Sequence, residues 1–211
     1  MKLFTLPVGM VQTNCYIAAD ENTGGCAVID PGGDAVRILG LLKRENLAVK
    51  YIFLTHGHFD HILAVPEIKR ITGAPVVIHK ADTALLSDSR LTGIPVRVPV
   101  FEAVSADTTV SGGEDFSVGS LTFSWISTPG HTPGSCCIIC GGSLFSGDTL
   151  FAGDCGRCDL PGGDYGQMLN SLKALAALPG DYNVYPGHGG ATTLDRERKF
   201  NNYMREAVSL K

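Results

Sequence analysis

The sequence holds 211 residues, with 21 acidic and 17 basic side chains and a formal net charge of −4. That balance excludes the broad positive field that draws a protein to nucleic acid. The apolar runs fall short of the roughly 18 residues of a membrane span, and the chain is long enough to bury a core without disulfides.

The opening run, MKLFTLPVGMVQTNCYI, reads as strand and not as a leader. Pro7 interrupts it, no small-residue cleavage site follows, and Gln12, Thr13 and Asn14 lead into a second apolar run. KLFTL, CYIAA and CAVID are three strands joined by turn residues. DAVRILGLLKREN has apolar positions at helical spacing, with Asp34 at its N-cap. KYIFL is a buried strand, and HILAVPEIKRITG a helix with Pro66 in its first turns and Gly73 ending it. APVVIH is another strand and KADTALLSD a short helix. Strands return from about Pro95 in VRVPV, DFSVGS, LTFSWIST, SCCIIC and GSLFSG. DYGQMLNSLKALAALPG is an amphipathic helix, YNVYP a strand, and DRERKFNNYMREAVSL a last helix. Strands followed by helices, twice over, predict two sheets face to face with helices outside. No linker or repeat divides the chain, so residues 1–211 are expected to form one domain. Seven cysteines without an export signal point to free thiols and the cytoplasm.

The chemistry concentrates after KYIFL, in FLTHGHFDHI. Three of the six histidines of the chain, His56, His58 and His61, sit there with Asp60. Imidazole and carboxylate are the usual ligands of zinc, iron and manganese. His56 and His58, two residues apart, project to one side of a turning loop and can bind one ion. Gly57 between them lets the backbone bend. Asp60 and His61, as the chain turns into a helix, can face a second. Three later turns add candidates: His131 in STPGHTPGS, Asp148 in LFSGDTLF and His188 in VYPGHGG. Five histidines and two aspartates suit two ions, one aspartate bridging, with coordination positions left open as a catalytic site requires. His79, the remaining histidine, ends a strand and reads as structural. Asp30, in VIDPGG, either orients a ligand histidine from behind or caps its turn.

THGHFDH, PGHTPGS, SGDTLF and PGHGG, in that order and over nearly the whole chain, resemble the metallo-β-lactamase fold. The segment GRCDLPGGDYGQMLNSL is similar to that of compact bacterial proteins related to glyoxalase II. The resemblance implies an αββα sandwich with a dinuclear site at one edge. It places His56, His58 and His131 on the first metal, Asp60, His61 and His188 on the second, and Asp148 between them. Zinc is the usual ion of the family, and iron and manganese also occur. The implied reaction is hydrolysis of a small 2-hydroxyacyl thioester by a hydroxide held between the ions, with Asp60 orienting it. Glyoxalase II carries a C-terminal helical extension that binds glutathione; here only a short tail follows His188, with Arg196, Arg198, Lys199, Tyr203 and Arg205 as candidates or as a solvated face. Three other readings share the pattern: an iron persulfide dioxygenase, a lactone or β-lactam hydrolase, and a non-catalytic metal-binding protein, which the open ligand set disfavours. Cys155 and Cys158 have the spacing of a knuckle or redox pair. They lack a second pair and a helix start, and so read as structural. Arg157 and Asp159 either pair or face solvent. Substrate-binding side chains and the oligomeric state have no signature in the sequence.

Overall fold

The computed structural model describes residues 1–88 and 101–210. The expected strand VRVPV lies outside the described residues. One six-stranded sheet runs β1 (Lys2–Val8), β2 (Thr13–Ala19), β3 (Gly25–Ile29), β4 (Ala48–Phe53), β5 (Val76–His79) and β6 (Thr108–Val110) in chain order. Its first three strands are antiparallel and the rest parallel. The second sheet contains β7 (Asp115–Val118), β8 (Leu121–Ser127), β9 (Cys136–Cys140), β10 (Ser143–Gly147), β13 (Asn183–Pro186) and β14 (Thr192–Thr193), in the order β14-β13-β10-β9-β8-β7. There only β10 and β13 pair in parallel. Between β10 and β13 a small hairpin, β11 (Leu150–Phe151) with β12 (Asp154–Cys155), stands apart from both sheets.

The period-two pattern explains the layering. In β2, Cys15, Ile17 and Ala19 point to one buried face and Tyr16 and Ala18 to the other. The first face meets α1 (Ala35–Arg44) and α3 (Val65–Thr72) through Ile38, Leu41, Val65 and Ile68. Tyr16 and Ala18 face the second sheet, where Phe53, Phe123, Trp125 and Phe145 fill the space between the sheets. Phe53 stands edge-on to Trp125 at 5.6 Å. Burying such a side chain contributes roughly 1.5–3 kcal/mol. The outer face of the second sheet is covered by α4 (Tyr165–Ala176) and, beyond α5 (Leu194–Phe200), α6 (Asn202–Ser209), through Met168, Leu172, Leu175 and Met204. The result is two mixed sheets face to face with helices outside, as the sequence pattern predicts, in the αββα sandwich that the resemblance implies. All seven cysteines are free, and Cys136, Cys137 and Cys140 are buried in β9 as small apolar side chains.

Several local expectations are modified. Asp34 stands at the N-cap of α1, yet it is left-handed (φ 51°) and makes no capping bond. Its carboxylate instead accepts from the Gly9 N–H at 3.0 Å, holding the β1–β2 turn. HILAVPEIKRITG is two helices, α2 (Phe59–Ile62) and α3, with Pro66 in the first turn of α3 and Gly73 (φ 69°) at its C-cap. The last predicted helix breaks at Asn201. Its Oδ1 accepts from the Tyr203 and Met204 N–H groups and starts α6, while its Nδ2 donates to the Asp154 carbonyl at 2.9 Å. No described helix is long and apolar enough to cross a membrane.

Candidate metal centre

Strands β3, β4, β8, β10 and β13 all end at one edge of the sandwich, and each is followed by a predicted site residue. Asp30 follows β3, the His56–His61 loop β4, His131 β8, Asp148 β10 and His188 β13. Backbone bonds lock these loops together: Cys136 N–H donates to the Thr55 carbonyl and Gly187 N–H to the Gly147 carbonyl, both at 2.8 Å. All seven predicted ligand side chains therefore converge. Their ligand atoms form three overlapping groups, His56–His58–His131, His56–His61–Asp148 and Asp60–His61–His188, each with its atoms within 4.8 Å of one another. Asp148 lies between the outer two. Its Oδ2 is 3.5 Å from His131 Nε2 and 3.6 Å from His188 Nε2, and its Oδ1 is 3.5 Å from His61 Nε2.

The hydrogen bonds behind the rings fix which nitrogen is free. Asp30 Oδ2 accepts from His61 Nδ1 at 3.0 Å and from the Thr55 hydroxyl at 2.6 Å. With its proton committed to Asp30, Thr55 Oγ1 can only accept from His56 Nδ1, at 3.2 Å. His131 Nδ1 donates to the Arg157 carbonyl at 2.7 Å. In all three rings Nδ1 is engaged from behind and Nε2 is left facing the cluster, the usual outer-partner arrangement of metal-binding histidine. Asp30 thus bonds His61 directly and reaches His56 through Thr55.

The fit to a cation can be tested on unpartnered atoms. Among the described residues four buried side-chain polar atoms lack a hydrogen-bond partner, and three of them, His56 Nε2, His61 Nε2 and Asp148 Oδ1, meet here. A buried unsatisfied polar atom costs about 1–3 kcal/mol, so their meeting is best accounted for by cations that these atoms would ligate. Charge agrees with geometry. Burial holds the His56 imidazole well below its usual range, with His61, His131 and His58 adding to the effect. Burial and His131 push His58 down to about 4. These rings are neutral and ready to bind. On the acidic side burial opposes charge, but His61, His188 and Thr13 outweigh it and hold Asp60 below the carboxylate range. Burial likewise disfavours His61 as a cation, yet Asp60, Asp148 and Asp30 raise it well above its usual range. That side of the site draws positive charge.

The cluster floors a cavity of about 380 Å³, walled by Val11, Phe59, Phe151, Leu160, Cys155 and Arg157. None of these wall residues was singled out from sequence as substrate-binding. None of the tail residues weighed for that task is among the residues lining the cavity. Arg198 donates to the Ala176 and Gly180 carbonyls behind α4, and Arg196 pairs with Glu197. Arg157 and Asp159 do pair, at 2.7 Å, but both are about two-thirds exposed, so solvent screens the bridge and it adds little to stability. Burial pushes the Cys155 thiol up to about 12 and raises Cys158 as well, and neither belongs to a ligand group. Changing both to Ser is expected to leave metal content unchanged and the turnover rate within a few-fold. A fall of about 100-fold, roughly 2.7 kcal/mol in the barrier, would instead place a thiol in the chemistry.

A stack of two mixed sheets with a histidine–aspartate cluster at one edge defines the class. The metallo-beta-lactamase superfamily domain matches residues 8–188, and the chain belongs to that superfamily. It is 34% identical to the probable metallo-hydrolase YqgX of Bacillus subtilis, over 97% of this chain and 98% of that protein. It is 31% identical to the hydroxyacylglutathione hydrolase GloC of Haemophilus influenzae, again over 97% and 98%. Among solved structures, the B3 metallo-beta-lactamase BLEG-1 superposes with a TM-score of 0.90 at 36% identity, over 96% of this chain and 99% of that one. TTHA1623, solved in a di-iron-bound form, gives 0.81 at 34% identity over 95% and 99%. ETHE1 from Myxococcus xanthus gives 0.81 at 30% over 99% and 88%. Proteins with different names thus stand at similar distances, so the choice of substrate rests on the pocket.

Proposed function

We propose that the chain is a metal-dependent hydrolase of small thioesters, 2-hydroxyacyl thioesters first among them, with two divalent ions in the cluster. His56, His58 and His131 would hold one ion and Asp60, His61 and His188 the other, with Asp148 serving both. Zinc is the ion in this reading, with iron or manganese as substitutes. Such ions, when bound, supply Lewis acidity and a water that ionises near neutral pH. Asp60 lines the cavity, and its Oδ2 is fixed by the Thr13 hydroxyl at 2.8 Å and His188 Nε2 at 3.1 Å. It orients the attacking water. Val11, Phe59, Phe151 and Leu160 give a small acyl group an apolar wall and keep bulk water from it.

The observation that carries the choice of thioester is the proton inventory of the cavity wall. Apart from the candidate ligands, its polar side chains are Cys155, whose thiol is pushed up to about 12, and Arg157. Neither readily gives a proton to a departing amine, and an amine must be protonated to leave. A thiol with a pKa of about 8.5 departs as thiolate unaided. The named relative GloC supports the same reading, while the di-iron form of TTHA1623 gives weight to iron as an alternative metal.

The test assays zinc-loaded and iron-loaded protein on S-lactoylglutathione, a lactone and a β-lactam without oxygen, and on glutathione persulfide in air. The zinc form should hold close to two equivalents and release free thiol from the thioester without oxygen. If only the iron form acts, taking up oxygen with persulfide and leaving thioesters intact, the protein is a dioxygenase and the hydrolase reading is wrong. Faster turnover of the lactone or β-lactam by the zinc form would move the substrate class.

A further inference from the structure

Asp82 lies on the 3-10 helix Lys80–Leu86, far from every sequence motif of the site. It is fully buried, and its carboxylate takes three bonds from two different ligand loops. Oδ2 accepts from the Gly57 N–H at 3.0 Å and from the Thr132 hydroxyl at 2.7 Å, and Oδ1 accepts from the Gly134 N–H at 2.7 Å. Gly57 stands between His56 and His58, and Thr132 follows His131. The loops are also pressed against the same helix. A Cβ on Gly57 would come within 2.6 Å of Leu85 Cβ, and one on Gly134 within 2.4 Å of Asp82 Oδ1. Gly57 is therefore needed for close approach rather than for the bend expected from sequence; it is absent from the left-handed residues.

The other half of the cluster is held from a different element. Thr13 at the start of β2 bonds Asp60, while Asn14 and Tyr16 donate to the Pro186 carbonyl at 3.0 and 2.7 Å, and Asn14 also donates to the Gly189 carbonyl at 2.9 Å. Those bonds fix the turn that carries His188. None of them reaches the His131 loop.

We infer that Asp82 is a positioning residue for the first metal alone: it joins the His56–His58 loop to the His131 loop at the spacing one ion needs. The inference rests on the dinuclear reading above. A carboxylate suits the task because three donors converge on it. An apolar residue would leave two buried N–H groups unpaired, and an amide would turn its own NH₂ toward one of the donors. Holding three ligands to one ion demands that their loops not drift, and partners behind the ligands commonly govern metal affinity.

The experiment measures zinc affinity by chelator competition in proteins reduced to one site. In the His188→Ala protein one zinc should remain, on the first triad, and adding Asp82→Asn should raise its Kd by about 10–100-fold. In the His58→Ala protein the remaining zinc belongs to the second triad, and Asp82→Asn should leave its Kd within about twofold. Thr132→Val, which removes one of the three bonds, should act in the same direction as Asp82→Asn but less, and it carries the test if Asp82→Asn does not fold. Melting of the metal-free proteins checks folding. Equal loosening in both backgrounds, or none in the His188→Ala protein, overturns the selective role while the dinuclear reading stands. A His188→Ala protein that holds no zinc at all overturns the division of ligands and the role of Asp82 with it.

Discussion

Asp148→Ala is expected to release both metal ions at once. The Asp148 carboxylate touches both halves of the cluster: Oδ2 lies near His131 on one side and His188 on the other, and Oδ1 near His61. Burial alone would raise its pKa, yet His61, His131 and His188 outweigh it and keep the carboxyl below its usual range, so it enters the site as an anion. In the dinuclear reading its removal would take one negative charge from between two cations and one ligand from each. The loss at each site should exceed the 10–100-fold typical of an outer partner, and turnover should fall with occupancy. Asp148→Asn keeps one acceptor oxygen and the volume, and should fall between wild type and Ala. Metal analysis after dialysis against a weak chelator reads the result. One ion retained at wild-type affinity would show that Asp148 serves a single metal.

What the sequence made legible is local. The alternation in CYIAA and the helical spacing in DAVRILGLLKREN each need only a few neighbouring residues, and they place this strand and this helix to within two residues. The candidate ligands were legible for the same reason, because side chains that converge on one site have to stand on tight loops and those loops carry glycine and proline. Elements of two or three residues, such as β6, β11, β12 and β14, are too short for a period to appear. The supports of the site were not legible either. Asp82 meets Gly57 across 25 residues and Gly134 across 52, and Asn14 meets the His188 turn across more than 170. Nothing in KADTALLSD or TNCYI distinguishes these side chains from ordinary turn and strand residues until the two sheets are packed. Asp30 is the intermediate case. Its place at the end of a buried strand suggested a role, and only the bonds to His61 and Thr55 show that it faces inward.

Gly32→Ala should cost the second metal and much of the stability, although Gly32 bonds no ligand side chain. It sits in the turn after Asp30, pressed against the first turn of α2. A Cβ there would lie 1.4 Å from the Asp60 carbonyl oxygen and 3.2 Å from the His61 nitrogen. The obstacle is backbone, not the end of a flexible side chain, so no rotamer change relieves it. Either the turn that carries Asp30 or the start of α2 must move, and both orient His61. The Ala64 N–H bond to the Pro31 carbonyl, 2.9 Å, ties the same two segments and resists that movement. Ordinary overpacking costs about 1–3 kcal/mol, and a main-chain collision belongs at or above the top of that range. At about 3 kcal/mol the Tm of a domain of this size falls by about 6–12 °C. Asp60 and His61 lie at the collision itself, whereas His58 at the N-cap of α2 and His56 behind Thr55 stand one step further from it, so the second ion should be lost first and one chelator-resistant zinc should remain where two are expected of wild type. Gly190→Ala is the control: it lies in the His188 loop, its φ is not left-handed, and a Cβ there meets nothing within 4 Å. It should keep both ions and melt within a degree or two of wild type. A Gly32→Ala protein with wild-type melting and two ions would mean that the Asp30 turn and the Asp60 loop can separate without disturbing the site, contrary to the packing that holds Asp60 and His61 together.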